Sequence, residues 1–566
     1  MSTFQKTFKF NKSIAKALGL SPDILKQPTF NLDNIAELMR QAKENGNPYI
    51  LLTGAGCSKS AGVPLADKLV TEMNDDFDVQ LSNLSKEDRS NYNKCMNALT
   101  HQERRQLLQD HIRKAKINWA HIGLASLMDK QYVQRVLTFN FDNILMRACG
   151  LIGLYPAIYD FTNADVNLQN LIIDPSIIYL HGQSYGFRQL NDENETKNHA
   201  NNMTNFIAQT LNTSPVIIAG YSGDNDGFFE QIDKHYCGEQ RLFWIGYNEN
   251  IPEHLQEFFK KYKNHAHYIG GQDADDFFVS LMQKLECSPD FFTEHAHHIL
   301  NVLNELTDFP IPNSDNSIDI LGSLRQQMTT ISEQGLSLSA ELHNLMIEGK
   351  YSEVIEAVER KYSQIFVDND TSDIDEEIKY VYTWAQVNQA NKDWLALKNK
   401  DFDINDNKIQ SIFRRFEKAE LLQPDMYEVY LKWGVLLSTL ATLKSSVELY
   451  NESSEKYSKA ININSNRIEA YNNLGANLSR LADLKHDESY INLAIENLLI
   501  SENIDPTHVY NLACAYVRLS KLKEAKTKLV VCKENQTLPP KNYLLNDPDL
   551  EILRQETWFN DFISDL

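Results

Sequence analysis

Short apolar runs, each cut off by glycine or a small polar residue, recur through the first half of the chain. They are Tyr49–Thr53 (YILLT), Arg135–Phe139 (RVLTF), Ser176–Leu180 (SIIYL), Pro215–Ala219 (PVIIA), Arg241–Ile245 (RLFWI) and His267–Ile269 (HYI). Several are apolar at nearly every position, the pattern of strands buried on both faces. Helical stretches such as Ile35–Lys43 and Phe277–Leu285 separate them. Strands alternating with helices predict βαβ units and a parallel sheet. Val70 to Lys130 is too long for one crossover, so it predicts a helical insertion, about residues 70–130, beside the sheet.

The second half has no strand pattern. Its period is helical, and it repeats. "YEVYLKWGVLLSTLA" (427–441), "IEAYNNLGANLSRLA" (468–482) and "THVYNLACAYVRLSK" (507–521) align on Gly434, Gly475 and Ala513. Each is followed by a second helix, carrying in turn Tyr457 with Ala460, Ala494, and Ala525. Small residues at fixed offsets let paired helices approach closely, and each pair needs a neighbour to bury its face. The array resembles tetratricopeptide repeats. Its spacings of 41 and 38 residues exceed that family's period of about 34, so its first helices or the following loops are expected to be longer. "EGKYSEVIEAVERKY" (348–362) reads as an earlier, degenerate repeat. "TDFPIPNSDNSIDILGS" (307–323) clusters Pro, Asn, Ser and Asp without apolar period and marks the boundary region. The expected organisation is a sheet domain over 1–290, a linker over 291–335 and helical repeats over 336–566.

Composition adds limits. Of 566 residues 42% are hydrophobic and 23% charged, ordinary for a globular protein. A net charge of -22 argues against nucleic acid as a direct partner. The seven cysteines form no C-x-x-C pair, so neither a disulfide framework nor a four-cysteine zinc site is expected, and a reducing cytoplasm fits. No segment approaches the roughly 20 apolar residues of a membrane span, and no membrane partner is expected. "EHAHH" (294–298) and His265 with His267 lack matched carboxylate or cysteine spacing, so no metal is expected.

The candidate chemistry lies where the strands stop. Tyr49–Thr53 runs into Gly54-Ala55-Gly56-Cys57-Ser58. Thr138 leads to Asn140 and Asp142, Leu180 to His181-Gly182, Ala219 to Gly220-Tyr221-Ser222, Ile245 to Gly246-Tyr247-Asn248, and Ile269 to Gly270-Gly271. In an open parallel sheet these ends share one edge, where ligands bind. The first loop is no P-loop, and Lys59 stands where G-x-G-x-x-G has its third glycine. Cys57 has no base placed beside it by the sequence.

GAG-x-S-x-x-AG-x-P, then T-x-N-x-D, then LHG, in that order, resemble the sirtuin domain. The likeness covers roughly residues 30 to 285. It implies a Rossmann-like domain that binds NAD and cleaves its nicotinamide–ribose bond. Three departures set the chain apart from sirtuin deacylases: no four-cysteine zinc module, Gln183-Ser184-Tyr185-Gly186 after the His-Gly pair, and a loop extended as GYSGDNDGFF. These departures, with "DADDFF" (273–278), are similar to sirtuin-like domains of prokaryotic antiviral defence proteins, which hydrolyse NAD. The resemblance therefore implies an NAD+ glycohydrolase, with NAD+ as substrate, coupled to repeats that bind a protein or a second copy of the chain in a homo-oligomer.

In that reading Asn140, His181 and Asp142 are the catalytic residues. Gly54, Ala55, Gly56, Ser58, Thr138, Gly220, Tyr221 and Ser222 bind the dinucleotide. The glycine backbone approaches the pyrophosphate, with a helix N-terminus behind it. His181, titrating near neutrality, serves as a base. Asn140 holds the ribose or the water. Asp142 orients backbone or substrate, or caps the next helix. Gly220 and Ser222 sit against the adenosine half. An NAD-dependent protein deacylase and a non-catalytic NAD- or ADP-ribose-binding scaffold are the alternatives.

Overall fold

The computed structural model describes residues 30–163, 166–186, 188–190, 193–224, 227–307, 320–333, 337–363, 371–397, 406–535, 537–539 and 541–564. Most of the polar boundary stretch 307–323, the expected start of the array at 336, and Asn225 and Asp226 of the extended loop lie outside the described residues. The chain divides into two compact units; the described part of the first ends at Glu333, and that of the second begins at Ser337.

The first unit is a seven-stranded, all-parallel sheet of order β3-β4-β2-β1-β5-β6-β7. The strands are β1 (Tyr49–Thr53), β2 (Val133–Thr138), β3 (Ala157–Asp160), β4 (Ser176–Tyr179), β5 (Val216–Ala219), β6 (Leu242–Ile245) and β7 (Ala266–Ile269). Alternate residues face opposite layers, as a period of two requires. Leu51, Val136, Ile177 and Ile217 join one core with the helices Leu32–Glu44, Trp119–Asp129 and Ala274–Lys284. Leu52, Leu137, Ile178 and Ile218 join the other with the helices Thr204–Thr213, Phe228–His235 and Glu253–Lys261. This Rossmann-like layering is the fold that the strand–helix alternation predicts.

Two expectations change. The strand β3 (AIYD) is not among the predicted strands; it lies on the sheet edge, pairs only with β4 and is half-buried throughout. The helical insertion is also shorter than Val70 to Lys130. Helices Ala66–Asp76, Tyr92–Ala98 and His101–Lys114 share their own core around Met73, Cys95, Met96 and Leu107. Trp119–Asp129 instead belongs to the sheet's helical layer. A Cβ on its Gly123 would lie 3.0 Å from Phe278, so that glycine seats the helix against Ala274–Lys284.

The second unit is a series of paired helices, an all-α solenoid. Three successive pairs are Tyr427–Lys444 with Val447–Ile463, Ile468–Lys485 with Ser489–Ile504, and Tyr510–Arg518 with Leu522–Glu534. The first helices of the first two pairs have 18 residues each, which accounts for the long spacing. Gly434 and Gly475 are the points of closest approach within a pair: an added Cβ would meet the Tyr457 ring at 2.6 Å and Leu498 at 2.5 Å. The stretch 348–362 forms the helix Tyr351–Lys361, which pairs with Leu338–Ile347 before it.

Candidate active site

Register places the site. Thr53 pairs with Thr138 and Ala219, Thr138 with Tyr179, Ala219 with Ile245, and Ile245 with Ile269. These six residues form one row across the sheet, so every loop that follows leaves from the same edge. The chain turns back at β1, with β2 on one side and β5 on the other. Such a switch point opens a crevice at the carboxyl ends of the strands. A cavity of about 730 Å³ lies there, within the range of cofactor sites. Gly54, Ala55, Gly56, Ser58, Asn140, Asp142, His181, Gly220, Tyr221 and Ser222 all line it.

The glycines also have a packing task. A Cβ on Gly54 would lie 2.6 Å from the Gly220 carbonyl oxygen, one on Gly56 would lie 2.8 Å from the Gly220 Cα, and one on Gly220 would lie 2.5 Å from Cys57 N. The loops after β1 and β5 touch backbone to backbone. Gly54 N–H donates to Ala219 O, Gly56 N–H to Gly220 O and Cys57 N–H to Gly54 O. Those three donors are engaged by protein. The element that follows is a four-residue 3-10 turn, Ala55–Ser58, and the next α-helix begins at Ala66. Lys59, which displaced the expected third glycine, is the only Lys or Arg lining the cavity among the described residues. Its ammonium lies 5.3 Å from the Tyr247 ring centroid.

The loop after β2 is cross-braced. Asn140 Nδ2 donates to Gly54 O at 3.1 Å and to Ser58 Oγ at 2.9 Å. Ser58 Oγ donates to Asp142 Oδ2 at 2.8 Å, and Ile144 N–H donates to Asp142 Oδ1 at 3.0 Å. Both amide hydrogens of Asn140 are thereby fixed, which leaves its Oδ1 as the acceptor for a ligand. Asp142 is buried with an oxygen on each of two protein donors, so it positions Ser58 and the loop and is not itself a reacting group. Thr138 also departs from expectation. It does not line the cavity; its Oγ1 accepts the Asn140 N–H at 3.1 Å from within β2.

His181 sits in an aromatic box. Its ring centroid lies 4.8 Å from that of Phe139 and 5.7 Å from that of Phe228. Burial, with a smaller contribution from His199, pushes its pKa down to about 3. That differs from the titration near neutrality expected of it, because burial disfavours the imidazolium. The Nε2 is buried without a hydrogen-bond partner. Gly182 takes φ +95 next to it, where a Cβ would collide with the Arg188 carbonyl. Cys57 is fully buried, and desolvation raises its thiol to about 12, which ends its candidacy as a nucleophile.

Phe139, Phe228, Lys59, Gln272 and Asp273 are not among the site residues expected from the sequence. Gln272 and Asp273 lie just after the end of β7, and that position was the available signal. Among the described residues, one group of potential metal ligands has its atoms close together: Cys514, Asp547 and Asp549, in the second unit. Arg480 and Arg518 pair with Asp549, and Tyr510 donates to Asp547, which makes this a salt-bridged cluster. No helix among the described residues is long and apolar enough to cross a membrane.

Sirtuins are among the solved structures that resemble this chain. Sir2Tm bound to a propionylated peptide is 16% identical over 46% of this chain and 100% of its own, with a TM-score of 0.28. A structure addressing sirtuin substrate affinity is 16% identical over 45% of this chain and 99% of its own, also at 0.28. A Sir2 mutant with a p53 peptide and NAD is 14% identical over 45% and 98%, at 0.27. No family model and no curated protein matches the chain.

Proposed function

We propose that the sheet-bearing unit is an NAD+ glycohydrolase, releasing nicotinamide and ADP-ribose, and that the chain is a regulated effector of antiphage defence acting by NAD+ depletion. The supporting observation is that His181, whose buried Nε2 has no hydrogen-bond partner, lines the same cavity as Asn140. An unmet buried polar atom costs about 1–3 kcal/mol. A ribose hydroxyl would satisfy it.

Nicotinamide departs as a neutral molecule with the C–N bonding pair, so no general acid is needed. The remaining task is to stabilise an oxocarbenium-like ribose and direct water to its anomeric carbon, with loss of one proton. Neutral His181 accepts a hydrogen bond from a ribose hydroxyl. Asn140 Oδ1 accepts from the attacking water or the ribose. Ser58, Asp142 and Thr138 hold Asn140 in place, and the apolar Phe139 and Phe228 exclude bulk water. Lys59 offsets the pyrophosphate charge. The repeats, in this reading of the tetratricopeptide type, bind a protein trigger or a second copy of the chain.

The competing reading is NAD-dependent deacylation of a protein; propionylated peptide is the ligand in the Sir2Tm complex. One assay on the purified full chain separates the two, with nicotinamide and ADP-ribose quantified with and without acyl peptide. Nicotinamide release that required the peptide would decide for deacylation. His181→Ala and Asn140→Ala should each lower turnover by about 10² or more with unchanged circular dichroism. A near-wild-type rate in either variant would remove that residue from the mechanism.

A further inference from the structure

We infer that the second unit carries an acid-reading docking site, held in this structure by the chain's own C-terminal residues 547–564 and open to an acidic, leucine-bearing segment of a partner protein. The inference rests on the reading above that the repeats bind a protein, and not on the chemistry of the sheet unit. The site grows out of the repeat itself. Arg480 stands five residues after Gly475 and Arg518 five after Ala513, so successive repeats place a guanidinium at the same position. Their helices meet side by side, with Asn511 Nδ2 donating to Asn472 Oδ1 at 3.1 Å. Tyr510, Cys514 and Arg518, each four residues from the next, share one face of the helix Tyr510–Arg518.

Residues 547–564 lie on that face as a ligand would. Both guanidiniums converge on Asp549: Arg480 Nη1 donates to its Oδ1 at 3.2 Å, and Arg518 Nη2 donates to the same oxygen. Tyr510 Oη donates to Asp547 Oδ2 at 2.6 Å. Leu550 and Leu553 then enter the core beside Ala513 and Val517. The stretch that does this, Pro548–Gln555, is a 3-10 element and does not continue the α-helical pairing of the array. Its fit is incomplete. Arg518 Nη1 is engaged by Ser479 O and Asp483, but its Nε is buried with no hydrogen-bond partner. The same holds for the Nε of Arg554, within the segment. Arg518 thus meets Asp549 through one nitrogen where a side-on carboxylate engages two. Unmet buried donors weaken the resident contact, and an acid that takes both nitrogens displaces it. A second copy of the chain offers the same imperfect segment, so the occupant that gains is a foreign one with carboxylates two residues apart.

A synthetic peptide of residues 547–564 is the probe, with the full chain as receptor. The resident segment lowers the peptide's apparent affinity by the fraction of chains in which it has left. Asp549→Asn in the chain removes the charge-assisted bonds to Arg480 and Arg518. That chain should bind the peptide at least about tenfold more tightly than the wild type. Leu553→Ala in the chain, which loosens the same segment through its apolar contact, should act in the same direction. Arg518→Gln added to Asp549→Asn should abolish binding, and a peptide carrying Asp547→Asn and Asp549→Asn should not bind. Equal peptide binding by the wild type and both variants, binding by none of them, or equal binding of the neutral peptide shows a fixed cap and overturns the inference. Unfolding of both variants makes the segment part of the array's core and overturns it too. A solution mass of Asp549→Asn that rises with concentration would mean that the freed segment enters a second copy, which overturns the partner assignment. None of these readouts involves NAD+, so a negative result leaves the hydrolase reading standing.

Discussion

His181 shows how far an environment moves a residue from its free-solution chemistry. Histidine in an unfolded chain titrates at about 6.5, whereas burial among Phe139 and Phe228 takes His181 down to about 3. Between those values the unfolded chain holds a proton that the folded chain refuses. Stability is therefore full above the unfolded value and is lost as pH falls toward the folded one. One such site contributes at most about 1.4 kcal/mol per pH unit. Denaturant midpoints measured from roughly pH 7 to pH 4.5 should fall in the wild type, and in His181→Gln the fall should be shallower by about 1 kcal/mol per pH unit. Identical slopes would mean that His181 is charged in the fold. The motif located this histidine, but its protonation state depends on two phenylalanines, one 42 residues before it and the other 47 after, and strand-end patterns do not report such contacts.

At the scale of elements, the loops after β1 and β5 behave as one unit because three glycines let their backbones touch. Gly220 is the most constrained: its φ is +67, and a Cβ would lie 2.5 Å from Cys57 N and 2.8 Å from Cys57 Sγ. Left-handed backbone alone costs a non-glycine residue roughly 1–2 kcal/mol, and the contact adds more because backbone cannot swing aside. Gly220→Ala should lower stability by about 2–4 kcal/mol and abolish binding of ADP-ribose. Gly46→Ala, which shares a positive φ but meets nothing within 4 Å, is the control for the backbone term. Equal losses in the two variants would show that loop contact contributes nothing. Here the sequence was partly legible. The apolar runs marked the five inner strands because those are largely buried, and they also marked the edge strand β7; the other edge strand, β3, half-buried at every position, was missed. The glycines flagged the right loop but not its contact with the loop after β5, since local spacing does not report a backbone that meets another backbone.

In the proposed function the whole molecule joins an NAD+-hydrolysing site to an array of paired helices, and uncontrolled NAD+ hydrolysis would be lethal to a cell. A gate is therefore required, and a gate needs two states that differ in affinity for the trigger. The array is the natural place for it. Its helix pairs close on themselves through Gly434 against Tyr457 and Gly475 against Leu498. Apolar side chains such as Leu493, Ile500 and Ile504 remain exposed on the helix Ser489–Ile504, and stacked repeats present extended surfaces to partners. The net charge of -22 disfavours nucleic acid in that role. A fragment of residues 1–306 carries the whole sheet and both of its cores. It should fold and bind ADP-ribose, yet lose trigger-dependent control of turnover. If the array inhibits, the fragment is constitutively active; if the array assembles the active oligomer, the fragment is silent and of lower mass. NAD+ turnover and solution mass, compared for fragment and full chain with and without the trigger, tell these apart. A fragment that answered the trigger as the full chain does would place the gate in the sheet unit, leaving the repeats without a regulatory task.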